Sequence, residues 1–386
     1  MRGSLAMGPT VAGYGQFIER KSSLSSMEIF ARASSEAMGM AGLSPGDIDG
    51  FLFATTPGCV EPPERMMLAD QVAGYLGLHG LGYMEHLDIG GASFNAMVFR
   101  AARAVDAGLA RNVLVLGGGK GSMRKEAALA GHSYERYYTP AARAREYLPL
   151  SDYAILTSHY NTVNGGEDRG RAMIAVRERE NANLNGGAFF RGPLDADDIL
   201  ESPVVSDPLH LLECASPSDG ASAFIVSSSA GSDCSVSILS YSEAHDPRPL
   251  FERPEMLKTP AHRSIPSAMS AAGVSAGKVD LVMLYDAFTT MVMLEVEAAG
   301  LAERGKGWKY AEENSFGPES STPINTNGGT LNTTQPAFMS GGVILHEALE
   351  QLCGRAGRRQ VKGAQRAMVN AIGGIMNHST TIVLGV

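Results

Sequence analysis

Four cysteines supply the only thiols of the chain: Cys59, Cys214, Cys234 and Cys353. A thiol can serve as nucleophile, metal ligand or disulfide partner, and spacing helps to separate these uses. The four are scattered, with no CxxC pair, which argues against a disulfide framework and against a structural zinc site. Four buried, reduced thiols in a cytoplasmic protein are expected, with no metal. A second candidate is Gly117-Gly118-Gly119-Lys120. It lacks the spacing of a Walker phosphate loop and reads as a strand end that must turn sharply.

The rest of the chain must position whatever chemistry it does. Its 386 residues are 44% hydrophobic, enough for a large core and for two or three domains. Charged residues make up 19% and the formal net charge is −9, so no global electrostatic attraction to nucleic acid is expected. No apolar run reaches membrane-spanning length. The opening Met1-Arg2-Gly3-Ser4-Leu5-Ala6-Met7 is too short and polar for a signal peptide.

The chain also repeats itself. Residues 38–53 read MGMAGLSPGDIDGFLF and residues 269–284 read MSAAGVSAGKVDLVML. Met38/Met269, Ala41/Ala272, Gly42/Gly273, Ser44/Ser275, Gly46/Gly277 and Asp49/Asp280 are identical without a gap. Each copy reads as a helix ending at glycine, a polar turn, and a strand-length apolar run. The first helix is announced by Ser25-Ser26-Met27-Glu28, a capping box. A second pair agrees: helix-like 92–107 leads to Val113-Leu114-Val115-Leu116, and helix-like 341–352 leads to Ala367-Met368-Val369. Two β/α lobes, 1–230 and 231–386, each with a largely parallel sheet, are therefore expected. Residues of about 120–200, including Tyr134-Glu135-Arg136-Tyr137-Tyr138 and Arg177-Glu178-Arg179-Glu180-Asn181, break the rhythm. They read as an insertion on the first lobe, either a lid or subunit contact or a solvated helical excursion.

From residue 325 the sequence runs NTNGGTLNTTQPAFMSGG. This resembles the thiolase pattern NxNGGxxxxGHPxGxSG, carried by Asn325, Asn327, Gly328, Gly329, Pro336, Ser340 and Gly341. Asp219-Gly220-Ala221-Ser222-Ala223 is similar to the thiolase DGAAA segment. Tyr285-Asp286-Ala287-Phe288 is similar to the NEAF loop, and closer to its HDCF or YDAF form in the sterol-carrier-protein and lipid-transfer-protein branch. Arg179 to Asn185, Ser206-Asp207-Pro208-Leu209 and the ending from Gly373-Gly374 to Gly385 resemble that branch too. The resemblance runs in order along nearly the whole chain. It implies an α/β thiolase fold: two duplicated lobes in five αβαβα layers, with a loop insertion in the first.

A thiolase works through a cysteine at a helix N-terminus, a histidine that activates it, a second acid/base and an oxyanion hole. On this resemblance the family's Cys-Ala-Ser becomes Gly91-Ala92-Ser93 and the GHP histidine becomes Gln335. The NEAF asparagine becomes Tyr285, and the second cysteine becomes Asn370. Ping-pong thiolysis is not expected. Ser93 is a weak candidate nucleophile, since an amide at 335 cannot act as its base; its structural role is to meet free N–H groups in the first helical turn. What survives is polar: the amides of Gln335, Asn332 and Asn370, and the backbone N–H groups of the Gly90-Gly91 and Gly373-Gly374 turns. These could hold a thioester carbonyl or enolate oxygen. Tyr285 and Asp286 are the titratable candidates of the motif loops, and His378 reads as structural.

The resemblance implies three functions. The first is retro-aldol cleavage of a β-hydroxyacyl-CoA, as in branch members that lack the cysteine and work with a small OB-fold partner. Tyrosines are thought to supply the base there. Here Thr289-Thr290 and Thr333-Thr334 stand in the corresponding loops, so Tyr285 or Asp286 would take over. The second is a non-catalytic pseudo-thiolase subunit that binds acyl-CoA beside an active partner. The third is direct acyl transfer without an acyl-enzyme. Lipid, sterol or aromatic side-chain degradation is the implied setting. Coenzyme A, as the thioester of the substrate, and a homodimer are implied as well; no other cofactor, nucleic acid or membrane is expected.

Overall fold

The computed structural model describes residues 8–61, 67–123, 150–229 and 234–386. Its repeated segments are built by the same local bonds. Helix α1 (Ser26–Ala41) opens on the capping box: Ser25 N donates to Glu28 Oε2 at 2.8 Å, and Glu28 N donates to Ser25 Oγ at 3.3 Å. It ends at Gly42 (φ 67°), where Leu43 N reaches back to Met38 O at 2.9 Å. In the second copy Gly273 has φ 68° and Val274 N reaches Met269 O at 3.0 Å. The left-handed turn needs a residue without a Cβ, which is why both copies keep glycine there. Asp49 and Asp280 also share a task. Asp49 Oδ1 accepts from Arg111 N and Asn112 N, and Asp280 Oδ2 accepts from Gln365 N and Arg366 N, all at 2.8 Å. Each carboxylate thereby ties the start of one strand to the start of its neighbour.

The strands of the first half are β1 (Thr10–Glu19), β2 (Gly50–Ala54), β3 (Tyr83–His86), β4 (Asn112–Lys120) and, after a short ribbon of β5 (Val204–Ser206) and β6 (Leu209–His210), β7 (Pro217–Ser227). Those of the second are β8 (Val236–His245), β9 (Leu281–Met283), the two-residue β10 (Gln335–Pro336), β11 (Arg366–Gly373) and β12 (His378–Gly385). The order across the sheet is β3-β2-β4-β7-β1-β8-β12-β11-β9. The halves meet where Thr10 and Val11 pair with Ser237 and Val236.

Both halves repeat one pattern. β7 is antiparallel to β1 and β4, and β12 is antiparallel to β8 and β11. Only β2 with β3 and β4, β9 with β11, and the short β10 with β7 run parallel. The sheet is thus mixed, not largely parallel. β11 and β12 are joined by the short turn from Gly373 to His378 with no crossover helix, and a tight connection can only reverse the chain.

Helices α3 (Ser93–Asp106) and α11 (Gly341–Leu352) lie between the halves: α3 packs on β2, β4 and β7 and also on β8, β11 and β12. α1 covers the outer face of the first half, and α7 (Ala261–Ala271) that of the second. These are the five layers of the thiolase fold. α2 (Leu68–Tyr75) packs beside β2 and α1.

The insertion between β4 and β7 carries α4 (Leu150–Asn164), α5 (Asp168–Ala182), α6 (Ala196–Glu201) and the ribbon. Tyr134 to Tyr138 fall outside the described residues. α5 is not a solvated excursion. It buries Arg171 against Glu213, and Asn181 Nδ2 donates to the carbonyls of Phe316, Ile324 and Asn325 at 2.9–3.1 Å.

The expectation of four reduced thiols is overturned. Cys234 and Cys353 form a disulfide across 119 residues, tying the entry to β8 to the end of α11; Cys59 (buried) and Cys214 are free. The fold brings the two together, and no sequence spacing marks them. Among the described residues, no helix is long and apolar enough to cross a membrane, and no group of three or more His, Cys, Asp or Glu could hold a metal ion.

Candidate active site

Four loops converge at the ends of the central layer. The first is Gly90-Gly91-Ala92, a 3-10 turn that runs into α3. Ser93 is fully buried, and its Oγ accepts from Ile89 N at 3.2 Å. The hydroxyl ties the residue ahead of the Gly90-Gly91 turn to the first residue of α3. The second is Gly373-Gly374 at the end of β11. It packs so closely on the first that a Cβ at Gly373 would lie 1.8 Å from Ile89 O.

The third loop follows β9 and leads into α8 (Thr289–Ala298), which α9 (Gly307–Glu313) follows. Tyr285 points into the space in front of Gly91. A Cβ on Gly91 would lie 2.2 Å from the Tyr285 hydroxyl and 2.4–2.5 Å from its ring carbons. The phenol donates to Phe338 O at 3.2 Å and receives Gln335 Nε2 at 3.4 Å. Burial pushes it up to about 12, against hydrogen bonds from Ser340 and Gln335 that pull it down. At neutral pH it is therefore a phenol, a hydrogen-bond donor.

The fourth loop runs from Asn325 to Ser340, through α10 (Gly329–Thr333) and β10. Thr334, Ala337 and Phe338 have φ of 71°, 45° and 62°, a cluster of left-handed non-glycine residues of the kind that marks functional loops. Its geometry is set from outside: Gln335 N donates to Ser216 O at 2.8 Å, and β10 pairs with β7.

These contacts sort the candidates read from the sequence. Tyr285 and Gln335 meet at Gly91, beside the Gly90-Gly91 and Gly373-Gly374 turns. Asp286 points away from them. It is fully buried and accepts from Thr330 Oγ1 at 2.8 Å and Leu331 N at 2.9 Å. Burial raises its pKa. Beside it Glu178 of α5 is raised well above the carboxylate range by burial and by the charge of Asp286. Asn332 is committed elsewhere: Nδ2 donates to Gly328 O at 2.7 Å and Oδ1 accepts from Arg179 Nε at 2.6 Å. Asn370 is fully buried, with Oδ1 accepting from Ser379 and Thr381 at 2.9 and 2.8 Å and Nδ2 donating to Glu295. His378 is half-buried with Nδ1 3.0 Å from His245 Nδ1, and burial lowers its pKa to about 4.

Three side chains at these loops escaped the reading from sequence. Tyr153 of α4 donates to Gly374 O at 3.1 Å and stacks on Phe288 at 4.4 Å. Glu178 and Glu295 are the others. The available signal was a carboxylate inside an apolar helical run, as in Met291-Val292-Met293-Leu294-Glu295-Val296.

Comparison with known proteins agrees with this architecture. Residues 242–386 match the family model "Thiolase C-terminal domain-like". The chain is 26% identical over 377 residues to the 17-hydroxy-3-oxo-4-pregnene-20-carboxyl-CoA lyase of Mycobacterium tuberculosis, covering 92% of this chain and 94% of that protein. The chain is thus similar to thiolase-superfamily proteins, including those of the sterol-carrier-protein-like branch. It is 30% identical over 227 residues to the acetyl-CoA acetyltransferase of Methanothermobacter thermautotrophicus, spanning 58% of this chain and only 59% of that protein. Among solved structures, the Ltp2-ChsH2(DUF35) aldolase superposes with a TM-score of 0.80 at 22% identity, over 99% of both chains. In this chain what faces Gly91 is the Tyr285 ring.

Proposed function

We propose that this protein cleaves a carbon–carbon bond of a CoA thioester by retro-aldol chemistry, without an acyl-enzyme. The observation that carries the reading is the Tyr285 ring in the space where a side chain at Gly91 would project. A covalent route needs a nucleophile at 91 and a base at 335. Glycine has no side chain, and the Gln335 amide has no basic nitrogen. Ser93, the hydroxyl of the same motif, accepts from Ile89 N instead.

A retro-aldol step needs a base for the β-hydroxyl and donors for the enolate that leaves, and no covalent intermediate. The Tyr285 phenol and the Gln335 amide converge at Gly91 and are suited to hydrogen-bond a thioester oxygen as charge builds on it. The backbone N–H groups of the glycine turns can join them. A β-hydroxyacyl-CoA is the substrate class, in line with the lyase name of the relative matched over most of its length. The two-component name of the aldolase with the same fold supports a small partner, for which an OB-fold protein is the candidate. A homodimer would use the open edge of β3.

The test is incubation with a panel of acyl-, β-ketoacyl- and β-hydroxyacyl-CoAs, with and without such a partner, read by mass spectrometry of products and of the intact protein. Cleavage of a β-hydroxyacyl-CoA with no protein adduct is expected. A stable acyl adduct would overturn the reading, and tight binding without turnover would replace it with the non-catalytic subunit.

A further inference from the structure

Glu295 lies in the middle of α8, in a stretch from Thr289 to Val296 that is buried throughout. Its side chain is wholly enclosed. Oε1 accepts from the backbone N–H of Tyr285 at 3.3 Å and from Asn370 Nδ2. Oε2 has no hydrogen-bond partner among the described residues. Among the described residues nothing cationic compensates the group: burial dominates, the bonds from Asn370 and Tyr285 oppose it, and the charge of Asp286 adds to it. An enclosed carboxyl with a free oxygen and no counter-charge costs stability. The fold gains a bridge between two loops from Oε1 alone, and a glutamine would supply that acceptor without the ionisable group. The free oxygen is therefore unexplained by structure and sits where the loops of Tyr285 and Asn370 meet.

We infer that Glu295 is the general base of this site, taking the β-hydroxyl proton of a β-hydroxyacyl-CoA on Oε2. The inference rests on the retro-aldol reading above and supplies the base that reading lacks. The proton of the β-hydroxyl passes to Oε2 and its oxygen becomes a carbonyl. The Cα–Cβ bond breaks, and its electron pair passes to Cα and the thioester oxygen as an enolate. The enolate takes a proton at Cα from the Tyr285 phenol. Glu295, now a carboxylic acid, returns its proton to the Tyr285 phenolate. One carbonyl compound and one shorter acyl-CoA leave, and no oxidant, reductant or water is consumed.

The electrostatics are consistent with that role. A base works best with a pKa near the working pH, and burial moves Glu295 upward from the ordinary carboxylate range. The titratable groups around it are Asp286, whose charge opposes its ionisation, Glu178, whose own carboxyl the charge of Glu295 pushes up, and the phenols of Tyr285 and Tyr153. The ascending limb of kcat/KM against pH should accordingly lie above that of an ordinary carboxylate.

The experiment compares wild type, Glu295→Gln and Glu295→Asp on a β-hydroxyacyl-CoA, with kcat and KM across about pH 5–9. For Glu295→Gln, kcat is expected to fall about 10²–10⁴-fold with KM changed only a few-fold, and the ascending limb to vanish. Glu295→Asp should keep a limb at a shifted position. Should Glu295→Gln not fold, an Asp variant with an unmoved limb overturns the assignment. A folded Glu295→Gln protein with kcat and limb intact overturns it as well, while the retro-aldol reading stands. A wild type that cleaves none of the substrates overturns the reading itself and this role with it.

Discussion

Restoring a side chain at position 91 should fail for a reason that can be measured. A Cβ on Gly91 would stand 2.2 Å from the Tyr285 hydroxyl and 2.5 Å or less from two ring carbons. The ring is held by bonds to Phe338 O and Gln335, so it cannot swing aside freely. Gly91 has no left-handed φ, so the obstacle is contact and not backbone strain. Gly91→Ala is therefore an overpacking change, with an expected cost of about 1–3 kcal/mol. Tyr285→Ala alone removes a buried ring, at about 3–5 kcal/mol. With the ring gone the new methyl has room, and Gly91→Ala should become neutral or stabilising by about 0.4–1 kcal/mol through the unfolded chain. The two changes should thus couple favourably by about 2 kcal/mol. Urea unfolding of the four proteins of this cycle reads that number directly. Additivity within about 0.5 kcal/mol would mean that Tyr285 does not occupy the space at Gly91, and the case against a covalent mechanism would lose its footing.

Two further outcomes are expected. Glu178 has a folded-state pKa raised above its ordinary 4.5, so its favourable share of stability is fully present below that value and is lost as pH rises through the folded pKa. Glutamine stays neutral throughout, so the melting temperature of Glu178→Gln should gain on wild type as pH climbs from about 5 to 9, and parallel curves would contradict the buried carboxyl pair. Cys234 and Cys353 close a long loop, so reduction, or Cys234→Ser, should lower unfolding stability by about 2–4 kcal/mol. Thiol titration of the denatured, unreduced chain should find only Cys59 and Cys214, and finding all four would refute the bond.

Much of the fold is legible in the sequence because it is locally encoded. The capping box at Ser25, the paired glycines Gly42 and Gly273, and the paired aspartates Asp49 and Asp280 act within a few residues or at the start of an adjacent strand. Such signals survive in one dimension, and from them the duplicated helix–turn–strand unit can be read. The motif loops could also be named, because their glycines and amides stand in order along the chain. The sheet's mixed sense escaped, since alternation of elements does not say whether a connection crosses over or turns back.

The sequence by itself determined that no thiol stands at position 91 and no imidazole at 335, because residue identity alone excludes that chemistry. Only the tertiary structure decided what each remaining group can do. Asp286 and Tyr285 are neighbours in sequence, yet one side chain caps a buried turn beside Glu178 and the other faces Gly91. Glu295 and Asn370, Tyr153 and Gly374, and Cys234 and Cys353 meet across 75, 221 and 119 residues. Reactivity depends on burial, on the partner of each oxygen and on the distance to the next charge, and those quantities exist only once distant segments are packed together.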